Sequence, residues 1–226
     1  MNNHNGESVR IGPLGLPGVL GAMPHSSGLV VFAHGSGSSR LSPRNHFVAE
    51  ALQQERLTTL LFDLLDAHEA EDRDKAFDIE LLAGRLEHAM RWAREHPALR
   101  ALPLGLFGAS TGAAAALVAA ARRPEQVCAV VSRGGRPDLA GEALTRVRAP
   151  TLLIVGGLDE EVLGLNRQAM ARMTNNEHRL DIVRGATHLF EEAGALQTVA
   201  RMARAWFSEH FERAGAAGGA GGPGRG

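Results

Sequence analysis

Cysteine is almost absent from this chain: Cys128 is the single one in 226 residues. That excludes an intrachain disulfide and a cysteine-rich metal site, and it fits a reducing compartment. An excess of charge is missing too, with 24 Lys and Arg against 25 Asp and Glu. A general role on nucleic acid or an anionic membrane therefore has no electrostatic basis. No apolar run approaches the roughly 20 residues of a membrane helix. The polar start, Met1 to Arg10, lacks the basic-then-apolar order of a secretory leader. No His, Asp and Glu spacing matches a metal site, and no internal repeat is visible. These absences predict a soluble, cytoplasmic protein. At this length one α/β domain is expected, burying roughly 70% of its unfolded surface.

What is present is a series of short apolar runs separated by helical periodicity. Gly28 to Ala33, Thr58 to Phe62, the short apolar run from Leu104 that ends in the Gly108 to Gly112 turn, Val127 to Val131 and Thr151 to Val155 read as buried strands, and Arg179 to Val183 as the last strand. Val9 to Ile11 and Gly18 to Gly21 are short edge candidates in a Gly- and Pro-rich start. Ser42-Pro43 supplies a cap and a first-turn proline for a helix whose apolar stripe is Phe47, Val48, Ala51 and Leu52. A helix from Phe77 to Glu95 carries Ile79, Leu82, Leu86 and Ala93 at helical spacing. Leu163 to Met173 is helical, and Leu196, Val199, Ala203 and Trp206 mark a closing helix. Residues 1–8 read as a disordered lead-in, 9–213 as the domain and 214–226 as a disordered Gly-rich tail.

Strands alternating with helices predict a mostly parallel sheet with helices on both faces. Ligands in such sheets bind beyond the carboxyl ends of the strands. His34, Asp63, Ser110, Arg133, Asp159 and His188 all fall at or just after such ends, so one face collects them.

The chain is organised around Gly108-Ala109-Ser110-Thr111-Gly112, which joins an apolar run to an alanine-rich helix former. So tight a turn strains its apex and leaves no room for bulky neighbours, pushing the Ser110 hydroxyl out where a base can reach it. The plainer reading is a helix start capped by Ser110. A serine nucleophile needs a base, and the base needs a group that holds its tautomer. Asp159 and His188 follow the last two strands and can both converge on Ser110; Asp159 also stands where a cap would, beside Glu160 and Glu161. An oxyanion needs two amide donors. Thr111 can give one, and Ser36 or Gly35 in the Gly-rich loop the other, with His34 bracing that loop.

Phe32-Ala33-His34-Gly35-Ser36-Gly37, Gly108 to Gly112, Gly157-Leu158-Asp159 and Gly185-Ala186-Thr187-His188 together resemble the α/β-hydrolase superfamily. Within it the chain is most similar to the small dienelactone-hydrolase-like enzymes, over about residues 9–212. The resemblance implies an eight-stranded sheet with its first strands antiparallel, a triad of Ser110, His188 and Asp159, and no cofactor. It also implies a small ester, lactone or thioester as substrate. Dienelactone hydrolase proper uses cysteine where this chain has Ser110, so its particular substrate is not carried over. Large lids in the superfamily follow the strand after the elbow helix. Only about twenty residues separate Val131 from Thr151, which predicts no large cap domain and an open site.

Acyl transfer by the same triad is an alternative, as is a non-catalytic ligand-binding module on this fold. Gly35 to Arg40 also resembles a nucleotide-binding glycine loop, with Asp63 as the ribose acid. Arg40, however, stands at the third glycine and the helix begins too late, near Ser42. Arg40, Arg44, Arg133 and Arg136 lie in loops on the site face. Arg133, Arg136 and Arg40 are candidates for an anionic substrate group, or all pair with Asp63, Asp66, Glu69, Asp72 and Asp138. The expected partner is a small molecule, with no nucleic acid and no membrane; a homodimer stays open. Cys128 reads as core, and His88, His96 and His210 as surface.

Overall fold

The computed structural model describes residues 6–174 and 177–219. Its strands are β1 Glu7–Ile11, β2 Leu16–Gly21, β3 Gly28–Ala33, β4 Leu57–Phe62, β5 Leu104–Ala109, β6 Ala129–Arg133, β7 Thr151–Gly156 and β8 Arg179–Val183. They form one eight-stranded sheet in the order β1-β2-β4-β3-β5-β6-β7-β8. β1 and β2 pair antiparallel and β2 meets β4 antiparallel; from β4 onward every neighbour is parallel. Every residue of β3, β4, β5 and β7 is buried, as expected for strands covered on both faces.

Helices α1 (Pro43–Gln53) and α7 (Ala195–Gly219) cover one face of the sheet. α4 (Ile79–Glu95) and α5 (Thr111–Arg122) cover the other. Between β4 and α4 lie two short helices, α2 (Ala67–Glu71) and α3 (Arg73–Phe77); α6 (Glu160–Arg172) connects β7 to β8. In place of a lid, β6 and β7 are joined by a 3₁₀ segment, Pro137–Arg146, broken at Gly141. α7 lies close to the sheet because glycines face it. A Cβ on Gly105 would stand 2.6 Å from the Phe207 ring, and one on Gly28 would strike Phe211. Both rings are buried, each contributing about 1.5–3 kcal/mol by burial.

Several boundaries differ from the sequence reading. β6 sits two residues later than Val127 to Val131, because its polar end, Ser132 and Arg133, is itself buried strand. α1 buries Asn45, His46, Val48, Ala49 and Leu52, and leaves Phe47 37% exposed. β1 already includes Glu7 and Ser8, residues expected in the lead-in. α7 runs to Gly219, through alanines that favour helix; residues 220–226 of the expected tail lie outside the described residues. His210 is buried edge-on to Trp206 with ring centroids 4.5 Å apart, where a surface position was expected.

Candidate active site

The turn from β5 into α5 holds Ser110 at φ 51° and ψ −123°, a conformation residues with a side chain adopt only when the surroundings impose it. A Cβ on Gly108 would lie 2.7 Å from the Ala113 amide nitrogen, and one on Gly112 would lie 2.5 Å from the His34 carbonyl oxygen. α5 can therefore start hard against the end of β3. The loop after β6 also grips the apex: Ser110 N–H donates to Arg133 O at 3.4 Å, and Ser110 O accepts from Arg136 N–H at 3.1 Å. Ser110 occupies the cap position of α5, yet its hydroxyl makes no cap bond. That removes the reading of Ser110 as a helix cap.

Asp159 behaves in the same way. It precedes α6, and its carbonyl accepts from Leu163 N–H at 2.9 Å, but its carboxylate caps nothing. Instead Asp159 Oδ2 accepts from His188 Nδ1 at 2.7 Å. That bond puts the ring proton on Nδ1 and leaves the Nε2 lone pair available. Asp159 is sheltered, at 14% side-chain exposure, while His188 is 40% exposed. Thr187, just before the histidine, donates both its N–H (3.0 Å) and its hydroxyl (2.5 Å) to Glu192 Oε1. Gly134 lies beneath the ring: a Cβ there would come within 3.6 Å of His188 Cε1. His188 thus stands over the end of β6, the strand beside the one that carries Ser110.

The loop after β3 closes the third side. A Cβ on Gly35 would lie 2.8 Å from Ser110 Cβ. Ser36 N–H donates to Thr111 Oγ1 at 2.9 Å, so this expected oxyanion donor is engaged by the residue expected to supply the other. His34 accepts from Leu64 N–H through Nε2 and donates to Gly35 O through Nδ1, both at 3.0 Å. Burial lowers its pKa, and it holds the loop as a neutral brace.

The four arginines divide sharply. Arg40 is bound to Asp63 through its backbone N–H at 2.6 Å and its guanidinium at 2.5 Å, which also occupies the acid a nucleotide would need. Arg136 makes a fork on Asp138 at 2.9 and 2.8 Å. Those two candidates for substrate binding are paired within the loops, because acidic neighbours lie within reach. Arg44 meets Glu191 at 3.3 Å. Arg133 is 8% exposed, and its Nη1 has no hydrogen-bond partner among the described residues. Burial first, and the charge of Arg44 second, push its pKa down to about 10, so it stays cationic near neutral pH.

A cleft of about 720 Å³ opens beside this loop, lined by Gly35, Ser36, Arg44 and apolar residues such as Leu41 and Leu65. It is bordered by the loop after β3, and Ser110, Asp159 and His188 are not among its lining residues. Among the described residues, no group of three His, Cys, Asp or Glu is placed to hold a metal ion, and no helix is long and apolar enough to cross a membrane. The Glu192 contact and the Ser36–Thr111 bond escaped the sequence reading, since neither has a spacing signature.

The family model described as an alpha/beta hydrolase domain matches residues 26–205. Two Mycobacterium tuberculosis proteins, each named "Putative phosphoribosyl transferase", are 54% identical over 207 residues, 91% of this chain and 46% of theirs. The chain therefore spans about half the length of these curated relatives. Among solved structures, a dienelactone hydrolase from Anabaena variabilis is 54% identical with a TM-score of 0.86, covering 91% of this chain and 96% of its own. An alpha-beta serine hydrolase homologue from Coxiella burnetii shares the fold at 21% identity and a TM-score of 0.73, covering 90% of this chain and 97% of its own. With its sheet order and its elbow after β5, the chain belongs to the α/β-hydrolase family.

Proposed function

We propose that the protein is a serine hydrolase that cleaves a small carboxylic ester, lactone or thioester through an acyl-enzyme on Ser110. The observation that carries this reading is the Asp159–His188 bond of 2.7 Å, formed by a carboxylate that could have capped its own helix. His188 Nε2 takes the Ser110 proton as Oγ bonds to the acyl carbon. The negative charge on the carbonyl oxygen falls beside the first N–H groups of α5, beginning at Thr111. The imidazolium then protonates the departing alcohol or thiol. A water attacks the acyl-enzyme by the reverse sequence and frees Ser110.

The name of the Anabaena relative supports an ester or lactone substrate. The transferase name of the mycobacterial relatives describes proteins more than twice as long as the matched segment, and it gives no role to Ser110, Asp159 or His188. The short β6–β7 connection supports short acyl groups, so turnover should fall as the acyl chain lengthens in a series of para-nitrophenyl esters. A fluorophosphonate probe followed by intact mass measurement tests the central step. One adduct is expected on the wild type and none on Ser110→Ala; full ester turnover in that variant would overturn the reading.

A further inference from the structure

Arg133 Nη1 and Arg44 Nε are both buried and without a hydrogen-bond partner among the described residues. A buried guanidinium group with unmet donors is unfavourable unless a ligand completes it. Arg133 closes β6 in register with Ala109, and its carbonyl holds the Ser110 N–H. By strand alternation its side chain shares the face of Val131, which packs with α1 and α7. Arg44 lies in the first turn of α1 and lines the same cleft as Gly35 and Ser36. Its charge acts on Arg133. Two buried, unpartnered guanidinium nitrogens thus belong to cations near enough to repel one another, and one of these cations is the residue whose carbonyl holds the Ser110 N–H.

We propose that Arg133 and Arg44 bind a phosphate group carried by the substrate of Ser110. This rests on the hydrolase reading and names the class of ester. The ion pair already present favours phosphate over carboxylate. Glu191 touches Arg44 at 3.3 Å and still leaves Arg133 Nη1 and Arg44 Nε unpartnered. A carboxylate offers its acceptor sites in one plane, which suits donors arriving from a single direction. A tetrahedral phosphate presents oxygens in several directions and can meet donors arriving from two elements. Glu191, with 67% of its side chain exposed, turns into solvent as phosphate enters.

The test has two arms. In calorimetry, inorganic phosphate should bind the wild type saturably. Arg133→Gln and Arg44→Gln should each weaken it by about ten- to a hundredfold, while Arg179→Gln, remote on Trp206, should match the wild type. In kinetics, para-nitrophenyl phosphonopropanoate should exceed the butanoate ester in kcat/KM by about tenfold or more, and that ratio should collapse towards one in both variants. Circular dichroism checks folding; if Arg133→Gln does not fold, Arg44→Gln, at a half-exposed helix start, carries the test. Absence of saturable phosphate binding, unchanged affinity in the variants, or a hemisuccinate ester preferred to the phosphonate would each overturn the proposal. Calorimetry needs no turnover, so the two readings separate. Phosphate binding without fluorophosphonate labelling upholds the site and overturns the hydrolase. Labelling without phosphate binding does the reverse.

Discussion

Asp159 holds the cap position of α6 and gives its carboxylate to His188 across 2.7 Å. Because the carboxylate caps nothing, Asp159→Asn should leave the helix and the melting temperature nearly unchanged. The amide can donate to Nδ1, which favours the wrong tautomer, with the proton on Nε2. On the proposed mechanism kcat should fall by about 10³- to 10⁴-fold. Ester turnover measured beside thermal melting checks this, and a large loss of stability with intact turnover would contradict it.

The Thr111 hydroxyl accepts the Ser36 N–H at 2.9 Å and ties the loop after β3 to the elbow. Thr111 is 1% exposed, but the donor sits on exposed Ser36, where water can replace the lost acceptor, so Thr111→Val should cost about 0.5–1.5 kcal/mol. On the proposed mechanism, loosening this loop should lower kcat more than it raises KM. Thr111→Ser keeps the acceptor and should recover most of both. Denaturant melts and steady-state kinetics on the two variants decide it.

Much of this architecture is legible in the sequence because parallel strands buried on both faces are written as short apolar runs. β3 and β8 fall on their expected residues, and β7 extends its run by one, to Gly156. The elbow is legible because its steric demands leave few choices at Gly108 and Gly112. β6 slipped because Ser132 and Arg133 look like loop residues, yet both are buried strand. Arg133 was among the arginines expected to stay free for an anionic group, but which of the four would pair was not legible, since pairing with acidic neighbours depends on side-chain reach. Phe47 misled for a similar reason: α1 turns polar Asn45 and His46 inward, which apolar periodicity cannot register.

Glu192 Oε1 collects both donors of Thr187, the residue before His188. It acts as a positioning residue for the histidine loop. Glu192→Ala should reduce kcat by about tenfold or more with little change in KM. Glu192→Gln retains a carbonyl oxygen at that place and should restore most of the rate. An equal loss in the two variants would show that charge, and not acceptance of these bonds, is what matters.

His34 is buried and neutral, with its pKa lowered mainly by burial. The unfolded chain therefore takes up the proton first. Stability is full above about pH 6.5 and declines as pH falls below it, towards the folded value. His178 and His210 are lowered by burial as well, so the part due to His34 is read by difference. His34→Gln, which accepts a hydrogen bond but does not titrate, should flatten the fall in melting temperature between pH 7 and 5. A decline as steep as that of the wild type would assign the whole effect to the other histidines.

The strand order has a consequence for the newly made chain. Once β4 is placed, each later strand is added at the same growing edge, β5, β6, β7 and then β8. Ser110 follows β5, whereas His188 follows β8. A ribosome releases the nucleophile long before its base, and the strained turn can form while the pair that would activate it is still unsynthesised. On the proposed mechanism any fragment ending before β8 carries an inert serine. On that mechanism Ser110 would gain its base only when the segment after the final strand has been made and docked.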